Sequence, residues 1–408
     1  MSVNIAIIGG GPGGLMAAEV IAAAGFPVTV YERKPNPGRK FLLAGRGGLN
    51  LTHSEDLESF IARYGAAAER LRPALEKFPP SALRAWCEGL GEPTFVGTSG
   101  RVFPKGFKAS PLLRTWRARL EKLGVKFAFH RNWTGWDAAG ALLFTNAHGE
   151  TEIVRATATV LALGGASWPR LGADGSWVDI LQQQNILVTP LRPANCGFVV
   201  EWSETFRSRF SGQPIKPVTL TFKDKPIRGE MMVTEKGIEG GAVYALAAPL
   251  RDEIYKNETA ELKLDLRPGL SLDDLTLKMG SPRGSLSFSN FLRKAGGLSP
   301  VAVALVREIG GKDVQVLSAH SLAALIKTLP LNLTAPFPID RAISTAGGIA
   351  LEALDDHFMV KNKPGVFAAG EMLDWEAPTG GYLLQATFST AVCAAEGVLR
   401  FLRNKHPT

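Results

Sequence analysis

Residues 3–32 read VNIAIIGGGPGGLMAAEVIAAAGFPVTVYE, and this stretch decides the fold. Residues 3–8 form a short continuous apolar run ended by glycines, which is typical of a strand buried on both faces of a parallel sheet. A largely apolar helix is predicted next, Gly25 ends it, and residues 27–31 indicate the following parallel strand. The stretch therefore predicts a compact strand–helix–strand unit.

The turn between the first strand and the helix carries a glycine triplet, Gly9-x-Gly11-x-x-Gly14. Each glycine has a physical role: a tight turn, close approach of the backbone to a pyrophosphate, and close packing of the helix on the strand. The free N–H groups of the helix start then face the phosphates, and Glu32 can accept hydrogen bonds from ribose hydroxyls. The unit predicts dinucleotide binding; the alternative is a glycine-rich turn with another purpose.

The composition is that of a globular protein. The chain has 408 residues, 45% of them hydrophobic and 21% charged, which suits roughly two or three domains and excludes disorder as the main state. Its 44 glycines follow no collagen-like period, so we expect them in turns and at close backbone approaches. This favours a nucleotide-binding protein over a plain helical bundle.

The cysteines and the amino terminus indicate the compartment. Cys87, Cys196 and Cys393 lie far apart, without C-x-x-C or Cys/His ligand spacing, so we expect three buried thiols and no disulfide framework or metal site. The amino terminus has no basic region before its short apolar run, and no later apolar run approaches the ~20 residues that span a bilayer. We therefore expect a cytoplasmic protein without a targeting segment or a membrane partner.

Changes of pattern along the chain predict the domain organisation. Helical periodicity between about 55 and 92 indicates a helical excursion. From about residue 190 alternating segments suggest antiparallel sheet, and a helical stretch follows. We predict an α/β protein whose dinucleotide-binding domain comprises residues 1–190 and 338–408, interrupted by a β-rich plus helical substrate or cap domain at 191–337.

A second motif, GRKFLLAGRGGLNLTHSE at residues 38–55, packs glycines around basic and amide side chains. Several donors on a glycine loop next to a pyrophosphate suit an anionic phosphate and the polar edge of a flavin. The alternative for each single side chain, including Lys40, Arg46 and Asn50, is a solvated or turn-forming polar residue.

A third motif lies near the carboxy terminus. The apolar strand in PGVFAAGEMLD, residues 364–374, ends in Gly370-Glu371, and Gly380-Gly381 then opens a long apolar helix. A glycine-led helix N-terminus presents N–H groups and a partial positive charge, which suits the anionic edge of a reduced flavin. The alternative is a buried helix with a glycine-rich lead.

Five segments together resemble one family. They are GGGPGG at 9–14, GRKFLLAGRGGLNLTHSE at 38–55, LALGGASWPRLGADGSW at 161–177, TAGGIALEAL at 345–354 and GEMLDWEAPTGGYLLQATFST at 370–390. The combination is similar to the bacterial NAD(P)/FAD-dependent oxidoreductases called aminoacetone-oxidase-like flavoproteins, which include a bile-acid-reducing flavoprotein. The resemblance implies a two-dinucleotide-fold (glutathione-reductase-like) FAD domain with an inserted β-rich domain and a tightly bound FAD.

The chain departs from this family in the second motif. Many members have a cysteine before the asparagine, whereas this chain has Gly48-Leu49-Asn50. We therefore assign it to a sub-branch with the text GRGGLNLTHSE, to which the family's substrates are not carried over.

The motifs and the resemblance give one set of candidate cofactor-binding residues. They are Gly9, Gly11, Pro12, Gly13, Gly14, Glu32, Arg33, Arg39, Lys40, Gly45, Arg46, Asn50, Gly164, Gly165, Gly370, Glu371, Asp374, Gly380, Gly381 and Tyr382. The resemblance implies the adenosine half of FAD for the first motif, the pyrophosphate and flavin for the second, and the ribityl chain and isoalloxazine for the third. No metal and no catalytic residue are assigned; His53, Glu371, Asp374 and Glu376 are acid/base candidates on motif loops.

These observations predict an FAD-dependent oxidoreductase, with NAD(P)H-linked or oxidase-type chemistry on a small organic substrate. No second G-x-G-x-x-G follows a strand in the middle of the chain, so NADH or NADPH, if used, is expected to bind transiently over the flavin. Arg101 and Lys105 are candidates for steering an anionic substrate; the alternative is a basic loop in water.

Two other classes of function stay open. A net charge of +8 and a pI near 9.4 would also suit a flavoprotein that binds or acts on RNA. The basic residues are dispersed along the sequence, however, so no nucleic-acid partner is expected. A NAD-dependent dehydrogenase is the third interpretation, and the carboxy-terminal return to the nucleotide argues against it.

Overall fold

The structure, a computed structural model, describes residues 3–405. Its strands, numbered in chain order, are β1 (Ile5–Ile8), β2 (Val28–Glu32), β3 (Thr52–His53), β4 (Thr94–Val96), β5 (Arg101–Pro104), β6 (Lys126–Phe129), β7 (Asn132–Trp136), β8 (Leu142–Thr145), β9 (Thr151–Val154), β10 (Ala158–Leu161), β11 (Val188–Ala194), β12 (Phe198–Val199), β13 (Pro214–Phe222), β14 (Lys225–Thr234), β15 (Gly237–Glu239), β16 (Ala260–Asp265), β17 (Leu329–Leu333), β18 (Ala335–Pro336), β19 (Ser344–Ile349) and β20 (Val366–Ala368).

The helices are numbered in the same way. They are α1 (Pro12–Ala23), α2 (Arg39–Ala44), α3 (Leu57–Ala62), α4 (Ala68–Lys77), α5 (Pro80–Gly89), α6 (Ala109–Lys122), α7 (Trp177–Gln182), α8 (Glu204–Phe210), α9 (Gly241–Tyr244), α10 (Ala247–Asn257), α11 (Leu272–Met279), α12 (Phe288–Lys294), α13 (Pro300–Gly310), α14 (Ala319–Lys327) and α15 (Tyr382–Lys405). Short 3₁₀ turns lie at Gly65–Ala67, Pro169–Leu171, Lys312–Val316, Ile339–Arg341, Leu351–Ala353 and Gly370–Met372.

The chain divides into two units. Among the described residues, the first unit contains 3–192 together with 344–405, and the second is Pro193–Ile343. The sequence placed the corresponding junctions at 190/191 and 337/338.

The first unit is built on a parallel sheet with the strand order β20-β10-β1-β2-β6. All four residues of β1 are buried, as are all four of β10, because helices cover both faces of such a sheet. The apolar runs that predict these strands therefore fit their position in the middle of the sheet. The predicted α/β fold with a dinucleotide-binding sheet is confirmed.

The order of the strands locates the ligand site. From β1 the chain passes to β2 on one side, whereas β10 pairs with the other side of β1. Ligands of open parallel sheets bind beyond the carboxyl ends of the strands at such a switch point. Gly9, Glu32, Gly164 and Gly370 all lie at or just after the ends of strands of this sheet.

Smaller elements complete the first unit. Helices α3, α4 and α5 lie within the predicted helical excursion. An antiparallel sheet with the order β3-β5-β4 and another with the order β7-β8-β9 accompany a two-stranded pair of β11 and β19. In the described part of the chain, no helix is long and apolar enough to cross a membrane.

The second unit has its own sheet and core. Its strands follow the order β17-β16-β13-β14-β15-β12-β18, and neighbouring strands pair in antiparallel fashion. Alternate residues of β16 are buried, since one face of the sheet packs against apolar side chains. Helices α8 to α14 belong to this unit, so the predicted β-rich plus helical insertion is confirmed.

Candidate dinucleotide site

The three glycines of the first motif have different surroundings. A Cβ added at Gly14 would lie 1.9 Å from the carbonyl oxygen of Gly9, and one added at Gly9 would lie 2.2 Å from that of Ala162. A Cβ added at Gly11 would meet no atom within 4 Å. The first and last glycines are therefore required by packing within the protein, whereas Gly11 borders open space.

Helix α1 starts at this open space without a cap of its own. Gly11 is its N-cap residue, Pro12 follows at the first helical position, and no side chain accepts a hydrogen bond from the first turn. The unsatisfied N–H groups and the positive end of the helix dipole together suit a phosphate. Gly13 instead lies beside Thr387 of α15, where an added Cβ would be 3.4 Å from a methyl group.

The carboxylate of Glu32 is held in place by the backbone. One oxygen accepts a hydrogen bond from the Gly10 N–H at 2.8 Å, and the other accepts one from the Lys34 N–H at 2.8 Å. An ionised carboxylate has about four lone-pair sites, so both oxygens can accept further hydrogen bonds from ribose hydroxyls.

The Arg33 side chain binds to the loop that follows β10. It forms an ion pair of 2.7 Å with Asp174 and also donates to the carbonyl oxygen of Gly172. Burial alone would raise the pKa of Asp174, but hydrogen bonds from Arg33 and Ser176 outweigh it and hold that pKa below its usual range. Arg33 thus ties the end of β2 to this loop.

The glycines after β10 allow close packing. Gly164 has a φ of +71°, and a Cβ at Gly165 would overlap the hydroxyl of Thr345. That hydroxyl accepts a hydrogen bond from the Ala166 N–H at 2.9 Å. The glycine pair therefore lets the loop after β10 lie directly against β19.

The second motif leaves buried polar atoms without a partner. Among the described residues, Arg39 Nε, Asn50 Oδ1 and Thr52 Oγ1 are buried and make no hydrogen bond. Each such atom costs about 1–3 kcal/mol if it stays unsatisfied. A polar ligand that reaches this segment would remove that cost.

Gly45 and Arg46, also in the second motif, do not contribute to these buried partnerless atoms. A Cβ at Gly45 would come within 2.5 Å of Ala109, so this glycine is required where α2 ends against α6. Arg46 is exposed.

Lys40 and Glu371 are brought together from distant parts of the sequence. The Lys40 ammonium lies 2.7 Å from a carboxylate oxygen of Glu371 and 2.6 Å from the hydroxyl of Ser167. Glu371 also accepts a hydrogen bond from the Thr345 N–H at 3.1 Å. The two side chains that the resemblance assigns to different parts of the cofactor thus neutralise each other in this structure.

The third motif is fixed by polar contacts around the end of β20. Gly370 has a φ of +82°, and its N–H donates to the hydroxyl of Thr390 at 3.0 Å. Asp374 accepts a hydrogen bond from the Thr189 hydroxyl at 2.6 Å. The 3₁₀ turn after β20 is therefore held on one side by α15 and on the other by β11.

The lead of α15 lies against β3. Gly380 and Gly381 have φ values of +131° and +102°, and a Cβ at Gly381 would overlap the backbone of Thr52. The carbonyl oxygen of Tyr382 accepts a hydrogen bond from the Tyr64 hydroxyl at 2.7 Å. The start of α15 and the second motif thus share one location.

Sequence reasoning missed a network around Tyr382. The Tyr382 hydroxyl donates to Glu55 at 2.5 Å, and Glu55 also pairs with Arg63 at 2.7 Å. Burial and, after it, the neighbouring Glu55 carboxylate raise the pKa of Tyr382. Burial opposes ionisation of Glu55, but hydrogen bonds from Arg63 and Tyr382 lower the pKa of that carboxyl. Glu55 ends the second motif and Tyr382 lies in the last one, but no pattern predicts their pairing, since the two residues are 327 positions apart.

His53, an acid/base candidate, stacks on Tyr382 with ring centroids 5.5 Å apart. Its Nδ1 accepts a hydrogen bond from the Glu55 N–H at 3.2 Å, and its Nε2 lies 2.9 Å from the carbonyl oxygen of Ser99. These two contacts assign the proton of the neutral ring to Nε2.

The site residues fit a dinucleotide with a flavin. The uncapped start of α1, the open space at Gly11 and the fixed Glu32 carboxylate suit the adenosine diphosphate half. The partnerless polar atoms of Arg39, Asn50 and Thr52 lie in the segment expected at the pyrophosphate and the flavin edge. Within residues 3–405, no group of three or more His, Cys, Asp or Glu side chains is placed to hold a metal ion.

The described residues form one Rossmann-type sheet with a site suited to a dinucleotide, and comparisons with known proteins define the class of protein. Residues 3–397 match the family model described as HI0933-like protein Rossmann domain, so the chain belongs to that family. It is accordingly an FAD-dependent oxidoreductase, and the predicted cofactor FAD is confirmed. The resemblance stated from the motifs is also confirmed.

The similar proteins are enzymes of related kinds. The chain is 23% identical to the 3-dehydro-bile acid Δ4,6-reductase of Clostridium scindens, over 96% of this chain and 98% of that one. It is 25% identical to the ribosomal RNA dihydrouridine synthase of Haemophilus influenzae, over 97% and 98% of the two chains. The solved 3-ketosteroid Δ1-dehydrogenase of Sterolibacterium denitrificans has the same fold, with a TM-score of 0.54, 12% identity and coverage of 97% and 99%.

Proposed function

We propose that the protein is a reductase that saturates a carbon–carbon double bond conjugated to a carbonyl group in a ring substrate, with NADH or NADPH as the electron source. The observation that carries the assignment of the electron source is that the described residues contain one five-stranded parallel sheet with one glycine triplet. One dinucleotide therefore has a dedicated place, and a nicotinamide nucleotide would bind transiently. In support, the names of two full-length relatives, a Δ4,6-reductase and a dihydrouridine synthase, both denote addition of hydrogen to a ring.

The chemistry divides between cofactor and protein. The chemistry that FAD would supply when bound is transfer of a hydride from a reduced nicotinamide to an organic acceptor, which would take up one proton from water as well. The chain's own residues position the cofactor. Glu32 orients the ribose, Gly11 leaves the pyrophosphate room, and Tyr382 fixes the first turn of α15 through Glu55 and Tyr64.

Tyr382 serves as a positioning residue in this proposal. Its hydroxyl already donates to Glu55, and burial raises its pKa, so release of its proton is unfavourable. The small organic substrate and the cytoplasmic location both stay predictions.

The test is an anaerobic titration of the purified FAD-loaded protein with NADH or NADPH, followed by addition of cyclic enones and of uridine-containing RNA. We expect the flavin absorbance to bleach and then to return when a ring acceptor is added, with a product heavier by two hydrogen atoms. A matched Gly11→Val protein, which should not retain FAD, controls for contaminating activity. Lack of bleaching by either nucleotide would refute the electron source, and recovery only by oxygen would favour an oxidase.

A further inference from the structure

The fold joins two stretches of sequence that contain no acidic residue. Residues 33–54 include five Lys or Arg and no Asp or Glu, and residues 93–120 include six and none. They meet where β3 pairs with β5 and where the Leu49 N–H donates to the Phe107 carbonyl oxygen at 2.6 Å. Positive charge from two parts of the chain thus lies beside one small sheet, and neither part contributes a carboxylate.

Three cations of the second stretch have no acidic partner. Arg101, Lys105 and Lys108 are exposed and form no ion pair with any described residue. Arg119 of the same stretch is neutralised, because it pairs with Glu19 at 3.0 Å. The three unpaired cations are therefore available to an anionic ligand.

An aromatic cluster accompanies these cations. The rings of Phe95, Phe103 and Phe107 have centroids 5.0–5.8 Å apart, and Phe107 is 48% exposed. An exposed aromatic ring beside cations suits a ligand that carries both a flat ring and phosphate groups. We call Arg101, Lys105, Phe107 and Lys108 the basic aromatic face.

The face adjoins the loops assigned to the flavin. A Cβ added at Gly48 would lie 3.2 Å from the Phe107 ring, and one added at Gly380 would lie 4.0 Å from Nε of Arg101. Strand β5 has four residues, so at about 3.3 Å per residue it carries the chain about 13 Å from Arg101 to the turn with Lys105. A nucleotide that extends from the flavin end past Arg101 can therefore reach Phe107 and the two lysines.

The lack of carboxylates distinguishes between the two nicotinamide nucleotides. Sites for NADH offer a carboxylate to the 2′-hydroxyl of the adenosine ribose, whereas sites for NADPH offer a cation to the 2′-phosphate. Glu32, with its fixed carboxylate, is of the first kind. The basic aromatic face is of the second kind, since the two stretches that meet there contain no Asp or Glu.

We propose that the basic aromatic face binds the adenosine end of NADPH, with the 2′-phosphate on Lys105 and Lys108, the pyrophosphate beside Arg101 and the adenine stacked on Phe107. A phosphate monoester carries a charge of about −1.5 to −2 at neutral pH, so two unpaired ammonium groups favour it over a hydroxyl. This inference rests on the proposed function in one respect: a nicotinamide nucleotide is the electron source there, and the face selects NADPH over NADH.

Binding can be measured without turnover, because the oxidised nucleotides NADP+ and NAD+ do not reduce FAD. Isothermal titration calorimetry of the FAD-loaded protein gives a Kd for each nucleotide. NADP+ should bind about tenfold or more tightly than NAD+, since only NADP+ offers the additional phosphate. Raising the salt concentration from about 50 to about 500 mM should reduce this preference, because the cations are exposed.

Two variants separate the phosphate from the adenine. Lys105→Gln/Lys108→Gln should weaken NADP+ binding about tenfold and leave the Kd of NAD+ unchanged, because NAD+ lacks the 2′-phosphate. Phe107→Asn, in which asparagine suits the φ of +59°, should weaken both nucleotides by a similar factor of about five or more, because both carry adenine.

The matched control is Lys122→Gln/Lys126→Gln, which removes the same charge at and beyond the far end of α6, where both lysines are exposed. This variant should bind both nucleotides as the unchanged protein does. Equal Kd values for NADP+ and NAD+ in the unchanged protein would overturn the proposal, as would an equal loss of NADP+ affinity in the control.

The remaining outcomes separate this inference from other ligands and from the proposed reaction. A single-stranded oligonucleotide that displaces NADP+ and binds more tightly through the same lysines would assign the face to nucleic acid and overturn the proposal. If the lysines select NADP+ but no ring acceptor is reduced, the proposed reaction fails while the face stands. If a ring acceptor is reduced equally well with NADH and NADPH, the reaction stands and the assignment of the face fails.

Discussion

Substitution of the glycines in the first motif separates cofactor binding from folding. Gly11 has φ −79° and ψ 179°, which alanine adopts freely, and no atom lies within 4 Å of an added Cβ. In FAD-free protein, Gly11→Ala should therefore change the free energy of unfolding by no more than about 0.5 kcal/mol. Gly14→Ala should destabilise the same FAD-free protein by about 1–3 kcal/mol, because its Cβ would overlap the Gly9 carbonyl oxygen.

In the presence of FAD, the substitution at Gly11 should lower the stability relative to the unchanged protein, because this variant should not gain the stabilisation that FAD binding provides. At a free concentration one hundred times its Kd, a ligand stabilises the folded state by about 2.7 kcal/mol. The unchanged protein should gain this amount, whereas Gly11→Ala should gain little because the methyl group occupies the approach of the pyrophosphate. Gly11→Val should behave in the same way with a larger loss.

The assay is urea unfolding of each variant with and without FAD, combined with a fluorescence titration for the Kd. FAD-free protein must be obtained first, by mild denaturation and refolding, so that the two effects are measured apart. Equal stabilisation of Gly11→Ala and the unchanged protein by FAD would refute the assignment of this loop to the pyrophosphate. Loss of stability in FAD-free Gly11→Ala would instead show that the open space is filled by the protein itself.

Three further outcomes are expected. Glu32→Ala should lose FAD on gel filtration, because it removes the carboxylate that two backbone N–H groups hold in place for the ribose. A full complement of flavin in this variant would contradict the ribose assignment. Glu55→Gln should destabilise the protein by about 1–2 kcal/mol at pH 7 by weakening the Arg63 pair. The folded-state pKa of Glu55 is lowered, so the stabilisation by its carboxylate is fully present above the unfolded-state pKa of about 4.3 and is lost as pH falls through the folded-state pKa. The difference in the free energy of unfolding between the unchanged protein and Glu55→Gln, measured by urea unfolding, should therefore shrink in acid; a growing difference would contradict the reasoning. The native thiols should resist Ellman's reagent at pH 8 and all react after unfolding, because burial raises the pKa of Cys87 to about 12 and that of Cys393 to about 11; rapid labelling of the native protein would contradict their burial.

The sequence predicts those parts of the site that lie within one short segment. The glycine triplet, the buried strand before it and Glu32 belong to one strand–helix–strand unit, in which spacing fixes geometry. Such local patterns do not predict contacts between segments that are distant in sequence. The Lys40–Glu371 pair joins residues 331 positions apart, and it depends on how two loops pack and which rotamers they select.

The spatial distribution of basic residues and the packing role of a glycine also depend on contacts between distant segments. Counting along the sequence makes the basic residues look dispersed, because β3 and β5 are separated by about fifty residues in which acidic and basic side chains are mixed. Strand pairing of β3 with β5 brings together residues 33–54 and 93–120, two stretches that contain Lys and Arg but no Asp or Glu. Gly45 shows a further case: its role in cofactor binding stays a prediction, and the structure adds a packing role against Ala109 that the sequence did not indicate.

The N-termini of the helices in the second unit differ from that of α1, and the difference bears on cofactor binding. Five helices of the second unit start after a serine whose hydroxyl accepts a hydrogen bond from the first turn; these serines are Ser203, Ser271, Ser287, Ser299 and Ser318. Such a cap is worth about 1 kcal/mol relative to alanine. Helix α1 starts after Gly11, which has no side chain to accept such a bond, and the space beside it is open. The start of α1 thus keeps its N–H groups and the helix dipole available for an anion, and we propose that this anion is the pyrophosphate of FAD.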